Sequence, residues 1–428
     1  MGQKSAPSCR IVIVGLLAIA SILVSTSSAR SDVKPGDRFD ASNVAQIDSL
    51  ISPGVRWCVE HGMPIRVVES RKIEMPKAYR EATDKYSAQV RLSADGRTLE
   101  NYVAGTPFPN IDRDDPQAAT KVMWNYDRRG LATDDLDIRN FDADTGTIFG
   151  GGKEMSIERH YLLDHLRRLN YVGRLYIDPK PSKPSEDNVQ YRQSLHPILE
   201  PFDLMGVGVT SYRYLDPDKQ DDSWLYLPAL RRVRRLSAAQ RSDSLFGQDS
   251  DLDSYYGYDG HPGWMDWRLL GEKEVVGVVH AERYPVKWAP GGGSFAFDEV
   301  WETRPVYVIE GKSKFPQYAY SKRVLFIDKE AWVVLFSDIY DRGGRLWKVW
   351  INDYSFRHQA PGGKTVYPDE MAFGPAIMMV DVQLSHVTHA STPSARFPGE
   401  EGVYFNQGEK SGTNEKFFTI GHLIESSH

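Results

Sequence analysis

Trp332-Val333-Val334-Leu335-Phe336-Ser337-Asp338-Ile339-Tyr340, then Asp341-Arg342-Gly343-Gly344, then Arg345-Leu346-Trp347-Lys348-Val349-Trp350-Ile351-Asn352-Asp353-Tyr354 reads as a β-hairpin. Two runs rich in aromatic and β-branched residues flank a short break, and its glycines supply the positive φ such turns need. Side chains of this kind suit a pleated, half-buried surface. The same period-two pattern extends outward through 191–199, 207–215, 223–236, 275–281, 306–310 and 323–327.

Before about residue 135 the pattern is mixed. Asp40-Ala41-Ser42-Asn43 offers caps for a short helix through Ile51, stopped by Pro53. Ile65-Arg66-Val67-Val68 reads as a strand. Pro76 opens a polar, helix-friendly run to Gln89. Asp114-Asp115-Pro116 opens another, with Ala118, Ala119, Val122, Met123 and Tyr126 on one face. Helices come early and strands late, which argues for an α+β fold and against alternating βαβ units. An antiparallel sheet of so many strands must curl or close, because a flat one leaves long exposed edges.

The first residues read as an export signal. Lys4 and Arg10 precede an uncharged apolar stretch at 11–24, too short to span a bilayer, and Ser27 and Ala29 satisfy the small-x-small rule. The expectation is cleavage after Ala29. No cysteine follows the apolar run closely, since Cys9 precedes it and Cys58 lies far beyond, so no lipid anchor is expected. No later segment is long and apolar enough to cross a membrane as a helix. A soluble exported chain with no stable membrane anchor is the expectation.

Composition is that of a globular protein, 41% hydrophobic and 26% charged over 428 residues. The formal charge of −6 becomes about −8 once Lys4 and Arg10 leave with the signal, a poor match to nucleic acid. Cys58 alone remains, so no internal disulfide is available. A core must hold the fold together, and 10 Trp, 22 Tyr and 17 Phe supply it. Trp224, Tyr226, Trp264, Trp267, Trp332, Trp347 and Trp350 lie on or beside strands. Core packing explains them; lining a cavity for an apolar ligand is the functional alternative.

Arg231, Arg232, Arg234 and Arg235 form the densest charge cluster. In a strand they put charge on both faces, as an edge or rim tolerates. Mutual pairing with the following Asp243, Asp249, Asp251 and Asp253 is one reading; docking of an anionic head group or acidic partner is the other. The aspartate-rich loop lacks the glycine and terminal glutamate of an EF-hand. His386 and His389 sit three apart in a strand-like segment, on opposite faces. No metal site, cofactor site or catalytic residue is expected: Gly-x-Ser-x-Gly is absent, and neither Gly206-Val207-Gly208 nor Gly291-Gly292-Gly293-Ser294 completes a nucleotide motif.

Tyr226-Leu227-Pro228 through Arg235, followed by Gln240-Arg241-Ser242-Asp243-Ser244-Leu245-Phe246-Gly247-Gln248-Asp249, resembles the hallmark of a family of uncharacterised exported proteins. That family is related to the outer-membrane lipoprotein-sorting, LolA/LolB-like group. Asn101-Tyr102-Val103-Ala104-Gly105-Thr106-Pro107-Phe108-Pro109 and the opening Gly36-Asp37 to Leu50 share the resemblance. It implies a strongly curved, incomplete antiparallel β-barrel with helices covering or plugging the concave side. It also implies an apolar cavity for acyl chains or similar lipids and a Gram-negative periplasm. An inner-membrane exporter and an outer-membrane barrel protein are the implied partners. The expected organisation is a signal at 1–29, a mixed segment at 30–134 packing on the barrel, and a β-rich region at 135–428. The expected role is a non-enzymatic carrier of lipid or other hydrophobic cargo. The alternatives are an envelope enzyme acting on a lipid or polysaccharide, and a structural adaptor.

Overall fold

The computed structural model describes residues 1–2, 33–185, 187–237 and 240–427. The expected signal and its cleavage point lie outside the described residues, apart from Met1 and Gly2. From Val33 onward the chain forms one compact unit.

Short strands β1 (Arg38–Phe39), β2 (Ile65–Val67), β3 (Arg91–Leu92) and β4 (Leu99–Glu100) punctuate the first hundred residues, with helices α1 (Pro53–Glu60) and α2 (Lys77–Tyr86). Helix α3 (Ala118–Asp127) follows. Then come β5 (Asp135–Thr147), β6 (Ser156–Asn170), β7 (Val189–Leu195), β8 (Ile198–Glu200), β9 (Gly208–Tyr214), β10 (Asp222–Leu227) and β11 (Arg232–Arg235). The second run is β12 (Met265–Gly277), β13 (Val300–Ser313), β14 (Lys322–Asp328), β15 (Val334–Tyr340), β16 (Leu346–Gln359), β17 (Val366–Asp381), β18 (His386–Ser391) and β19 (Val403–Phe405). Helix α4 (Ile420–Glu425) ends the described chain.

Each run is an antiparallel meander, and β18 pairs with β5 to join them into one sheet. The hairpin read first in the sequence is β15–β16, with Ser337 opposite Trp350 and Phe336 opposite Ile351. Gly344, at φ +79°, makes its turn. The sheet does not close into a barrel: among the described residues β11 pairs only with β10, and β12 only with β13. It is nonetheless curved. Residues 240–264, which link the two open edges, bond to β6 and β9 in one half and to β14 and β16 in the other, and only a concave sheet brings those strands within reach of one segment.

The two faces are covered differently. On β16, Val349 and Ile351 face the core that holds Val55, Cys58 and Val59 of α1, while Trp350 faces the core that holds Val122, Met123 and Tyr126 of α3. The N-terminal segment therefore coats the outer face of one half, and α3 with residues 240–264 fills the concave face. Asp338 on β15 fastens α1: it accepts from Ser52 Oγ (2.7 Å) and Gly54 N–H (3.2 Å). Burial raises its carboxyl to about 6, only partly offset by those bonds. A short 3₁₀ helix over Val44–Leu50 ends at Ile51, ahead of Pro53, as the sequence reading expected, and Pro53 also opens the next helix. It stands at the first position of α1, where its missing N–H costs nothing, and Ser52 caps.

Candidate functional site

The concave face of the β5–β11 half carries two chemistries. Leu163 on β6, Leu195 on β7, Ile198 on β8 and Val209 on β9 form an apolar patch, extended by Phe141 and Ala143 on β5. Farther along the same strands, Arg168, Gln193, Tyr191 and Arg213 make the face polar. The register explains the division, since Leu195 pairs with Val209, and Gln193 with both Arg168 and Ser211.

Residues 240–264 cover both parts. Over the polar end they build a buried ionic lattice. Arg213, 1% exposed, makes a bidentate pair with Asp221 (2.5 and 2.8 Å) and donates to Asp259 O. Arg241 bridges Asp253 (2.6 Å) and Asp221 (2.5 Å). Arg323, fully buried, donates to Gly257 O and to the Tyr318 hydroxyl, and Tyr318 donates on to Asp253 (2.7 Å). Burial works against ionising Asp253, but Arg241 and Arg323 outweigh it and hold its carboxyl below the usual range. Asp251 is pushed up by burial, although it accepts from Tyr320 (2.6 Å) and Ser254 (2.7 Å). Every charge here has partners, as buried charges require.

Over the apolar end the cover is a loop made of the Ser244-Leu245-Phe246-Gly247-Gln248-Asp249 motif. Leu245, Phe246 and Leu252 lie across the patch and close a cleft whose free space is about 40 Å³. That holds a few waters at most, not an acyl chain. Phe246 and Gly247 both take positive φ, +53° and +86°, and the Tyr161 hydroxyl donates to Phe246 O (3.0 Å). A phenylalanine in the left-handed region is a strained position held by its surroundings. The loop is pinned at both ends. At one end Arg241 holds it. At the other, Asp249 N–H donates to Thr388 Oγ1 (2.7 Å), its carboxylate accepts from Thr388 Oγ1 (2.9 Å) and meets His386 Nδ1 (2.8 Å), and Lys348 donates to its carbonyl (2.6 Å). The Asp249 hydrogen bond raises the His386 pKa above its ordinary value, and burial opposes that.

The aromatic side chains expected to line a cavity are spread through the core instead. Trp350, fully buried, donates to Asn352 Oδ1, and Trp332 stacks on Tyr307. Trp264 donates to Pro217 O and lies under Arg213. Trp267 packs edge-on to Tyr258, Trp347 donates to Asp381, Trp224 meets Tyr212, and Tyr226 is buried. None of the seven lines the apolar cleft. Indole N–H groups need a buried acceptor, and strands with polar neighbours supply one; the side chains of Leu163, Leu195, Ile198 and Val209 do not.

The acidic loop does not neutralise the arginine cluster. Asp249, Asp251 and Asp253 turn inward, drawn by Arg241, Arg323 and Lys348. Arg231 sits in the β10–β11 turn at φ +49°, Arg232, Arg234 and Arg235 lie exposed on edge strand β11, and of the four only Arg235 meets a carboxylate among the described residues, that of Asp222. His386 and His389 face opposite ways, as their spacing predicted: His389 stacks on Trp288 at 3.8 Å. Among the described residues no cluster of His, Cys, Asp or Glu has the arrangement of a metal site.

The chain belongs to the family described as "Protein of unknown function (DUF1329)", whose model matches residues 38–423. It is similar to an uncharacterized protein of Pseudomonas aeruginosa, 26% identical over 326 residues, covering 72% of this chain and 67% of that one. Among solved structures it is similar to an outer membrane lipoprotein-sorting protein domain from Vibrio parahaemolyticus (18% identity, 71% and 97% coverage, TM-score 0.46). It is also similar to a DUF1329 family protein from Desulfovibrio piger (15% identity, 72% and 98% coverage, TM-score 0.46).

Proposed function

We propose that the protein binds the apolar chain of a lipid or similar hydrophobic molecule between the β5–β9 face and the 245–252 loop, and carries it through the periplasm without transforming it. The observation that supports this reading is the construction of the loop. The loop is tied by polar bonds at Arg241 and Asp249, while Leu245, Phe246 and Leu252 rest on the sheet, where one hydrogen bond, from the Tyr161 hydroxyl to Phe246 O, is added to the apolar contacts. Apolar contacts of that kind can be exchanged for contacts with a ligand at little net change in buried area. A chain entering the cleft displaces Leu245 and Phe246, and each buried CH₂ then contributes about 0.8 kcal/mol. The left-handed Phe246–Gly247 pair is the bend about which the loop swings. Arg231, Arg232 and Arg234, exposed on an open sheet edge, are offered as the contact for an anionic head group or an acidic surface on a membrane partner such as an inner-membrane exporter or an outer-membrane barrel.

The test is native mass spectrometry of protein purified from its own envelope, with titration of a fluorescent fatty acid into delipidated protein. A bound amphiphile and saturable one-to-one uptake are expected. An empty protein that takes up no probe contradicts the reading.

A further inference from the structure

A second pocket opens beside the C-terminal end of α3. Arg128 and Arg129 follow that helix, Arg168 reaches in from β6, and Tyr191, Tyr256 and Asp259 complete the walls. Cations at a helix C-terminus are ordinary, because they meet the negative end of its dipole. Three observations go beyond that. Arg129 has no carboxylate within ion-pair distance among the described residues; it donates to Tyr126 O and lies between the rings of Tyr126 (4.2 Å) and Tyr256 (5.3 Å). Arg129 and Arg168 stand close enough to repel each other, with Asp259 attracting both. Finally, the Nε atoms of Arg128 and Arg129 and the Oε1 atom of Gln190 are buried without hydrogen-bond partners, and the Arg128 side chain is only 8% exposed.

The charges do not balance. Arg168 is satisfied by Asp259 (2.9 Å) and Arg128 by Asp127 (3.2 Å), which leaves Arg129 in excess. Gathering like charges around unmet donors costs stability, and such an arrangement is a mark of a binding site. The free space is about 70 Å³, enough for several waters or for one small anionic group in their place.

We propose that this pocket binds an oxyanion, a carboxylate or phosphate carried on a small hydroxyl-bearing molecule. Arg129 makes the charge-assisted bonds, and Tyr256 flanks the attached group; the Tyr191 ring is already covered by Arg168 (4.2 Å) and Arg213 (5.2 Å). The pocket shares the concave face with the apolar cleft but is a separate site, so either assignment can fail alone.

Calorimetric titration of the purified protein with glucuronate, glycerol phosphate, inorganic phosphate and glucose tests it. Glucuronate or glycerol phosphate binds and neutral glucose does not; the tighter of the two says whether the anion comes from a sugar acid or a phosphate head group. Arg129→Gln lowers the affinity about tenfold and Arg129→Lys lowers it less. Both variants keep a single cooperative urea transition, which certifies the fold and keeps this test independent of the cleft. If Arg129→Gln does not fold, the salt dependence of wild-type binding replaces it, and affinity must fall as ionic strength rises. Absence of binding by every anion, equal binding of glucose, or wild-type affinity in a folded Arg129→Gln protein overturns the proposal.

Discussion

Replacing Thr388 with valine should make the protein bind hydrophobic ligands more tightly while making it measurably less stable. Thr388 is 1% exposed and bonds Asp249 twice, accepting from its N–H (2.7 Å) and donating to its carboxylate (2.9 Å). Valine keeps the shape and removes both bonds, leaving a buried N–H unmet, at a cost of about 2 kcal/mol. The loss falls on the anchor of the 245–252 loop, so the open form gains population by roughly thirtyfold. Apparent ligand affinity scales with that population while the open form remains minor, so it should rise by up to the same factor. Hydrogen exchange reads the opening directly. The Leu245 and Gln248 amides, bonded to Ser250 O and Leu245 O, should exchange faster by about that factor, and Val349 on β16 should not change. Unchanged exchange at Leu245, or weaker binding in step with lower stability, would refute the lid argument.

Three further outcomes follow from the same structure. His386 holds Asp249 best when protonated; its folded pKa is raised, so its stabilisation is complete below the unfolded value of about 6.5 and is lost as pH rises through the folded value. An uncharged fluorescent dye should therefore enter the cleft faster in mildly alkaline than in mildly acidic buffer, and His386→Ala should abolish the difference in stopped-flow traces. Asp338, raised from 3.8 to about 6, is stable as the neutral acid and costs stability once ionised, so melting temperature should fall between about pH 4 and pH 7 in the wild type and fall less in Asp338→Asn. Arg213→Met breaks a buried pair and should cost about 3 kcal/mol in urea unfolding, whereas Arg235→Ala, removing an arginine whose side chain is 70% exposed, should cost under about 1 kcal/mol; equal costs would contradict the lattice.

The hairpin at Trp332 and the strands around it were legible because alternation survives wherever a sheet has one strongly apolar face. Strands β6 and β17 were not. In β6 the run Arg159-His160-Tyr161-Leu162-Leu163-Asp164-His165-Leu166-Arg167-Arg168 carries charge on its concave face at Arg168 and on its outer face at Arg167, so period two is lost. β17 is buried along most of its length and reads as a continuous apolar run. The site was missed for a related reason. The large aromatic rings dominate the strand sequences, but the cleft is lined mainly by aliphatic residues on four different strands, each ordinary in its own stretch. The Leu245-Phe246 motif is a family mark in the sequence, and only the three-dimensional arrangement lays it across that cleft. Proximity in sequence suggests pairing of the aspartates beside it with the Arg231–Arg235 cluster, whereas the fold pairs them with Arg241, Arg323 and Lys348, two of them far away in sequence.

Photoaffinity labelling with a fatty acid carrying a diazirine on its tail tests the central claim most directly. The account predicts covalent label on Leu163, Leu195, Val209 or the covering Leu245 and Leu252, competed away by unlabelled fatty acid. Label confined to exposed apolar residues such as Ile157 or Leu384, or label that excess fatty acid does not displace, would contradict it.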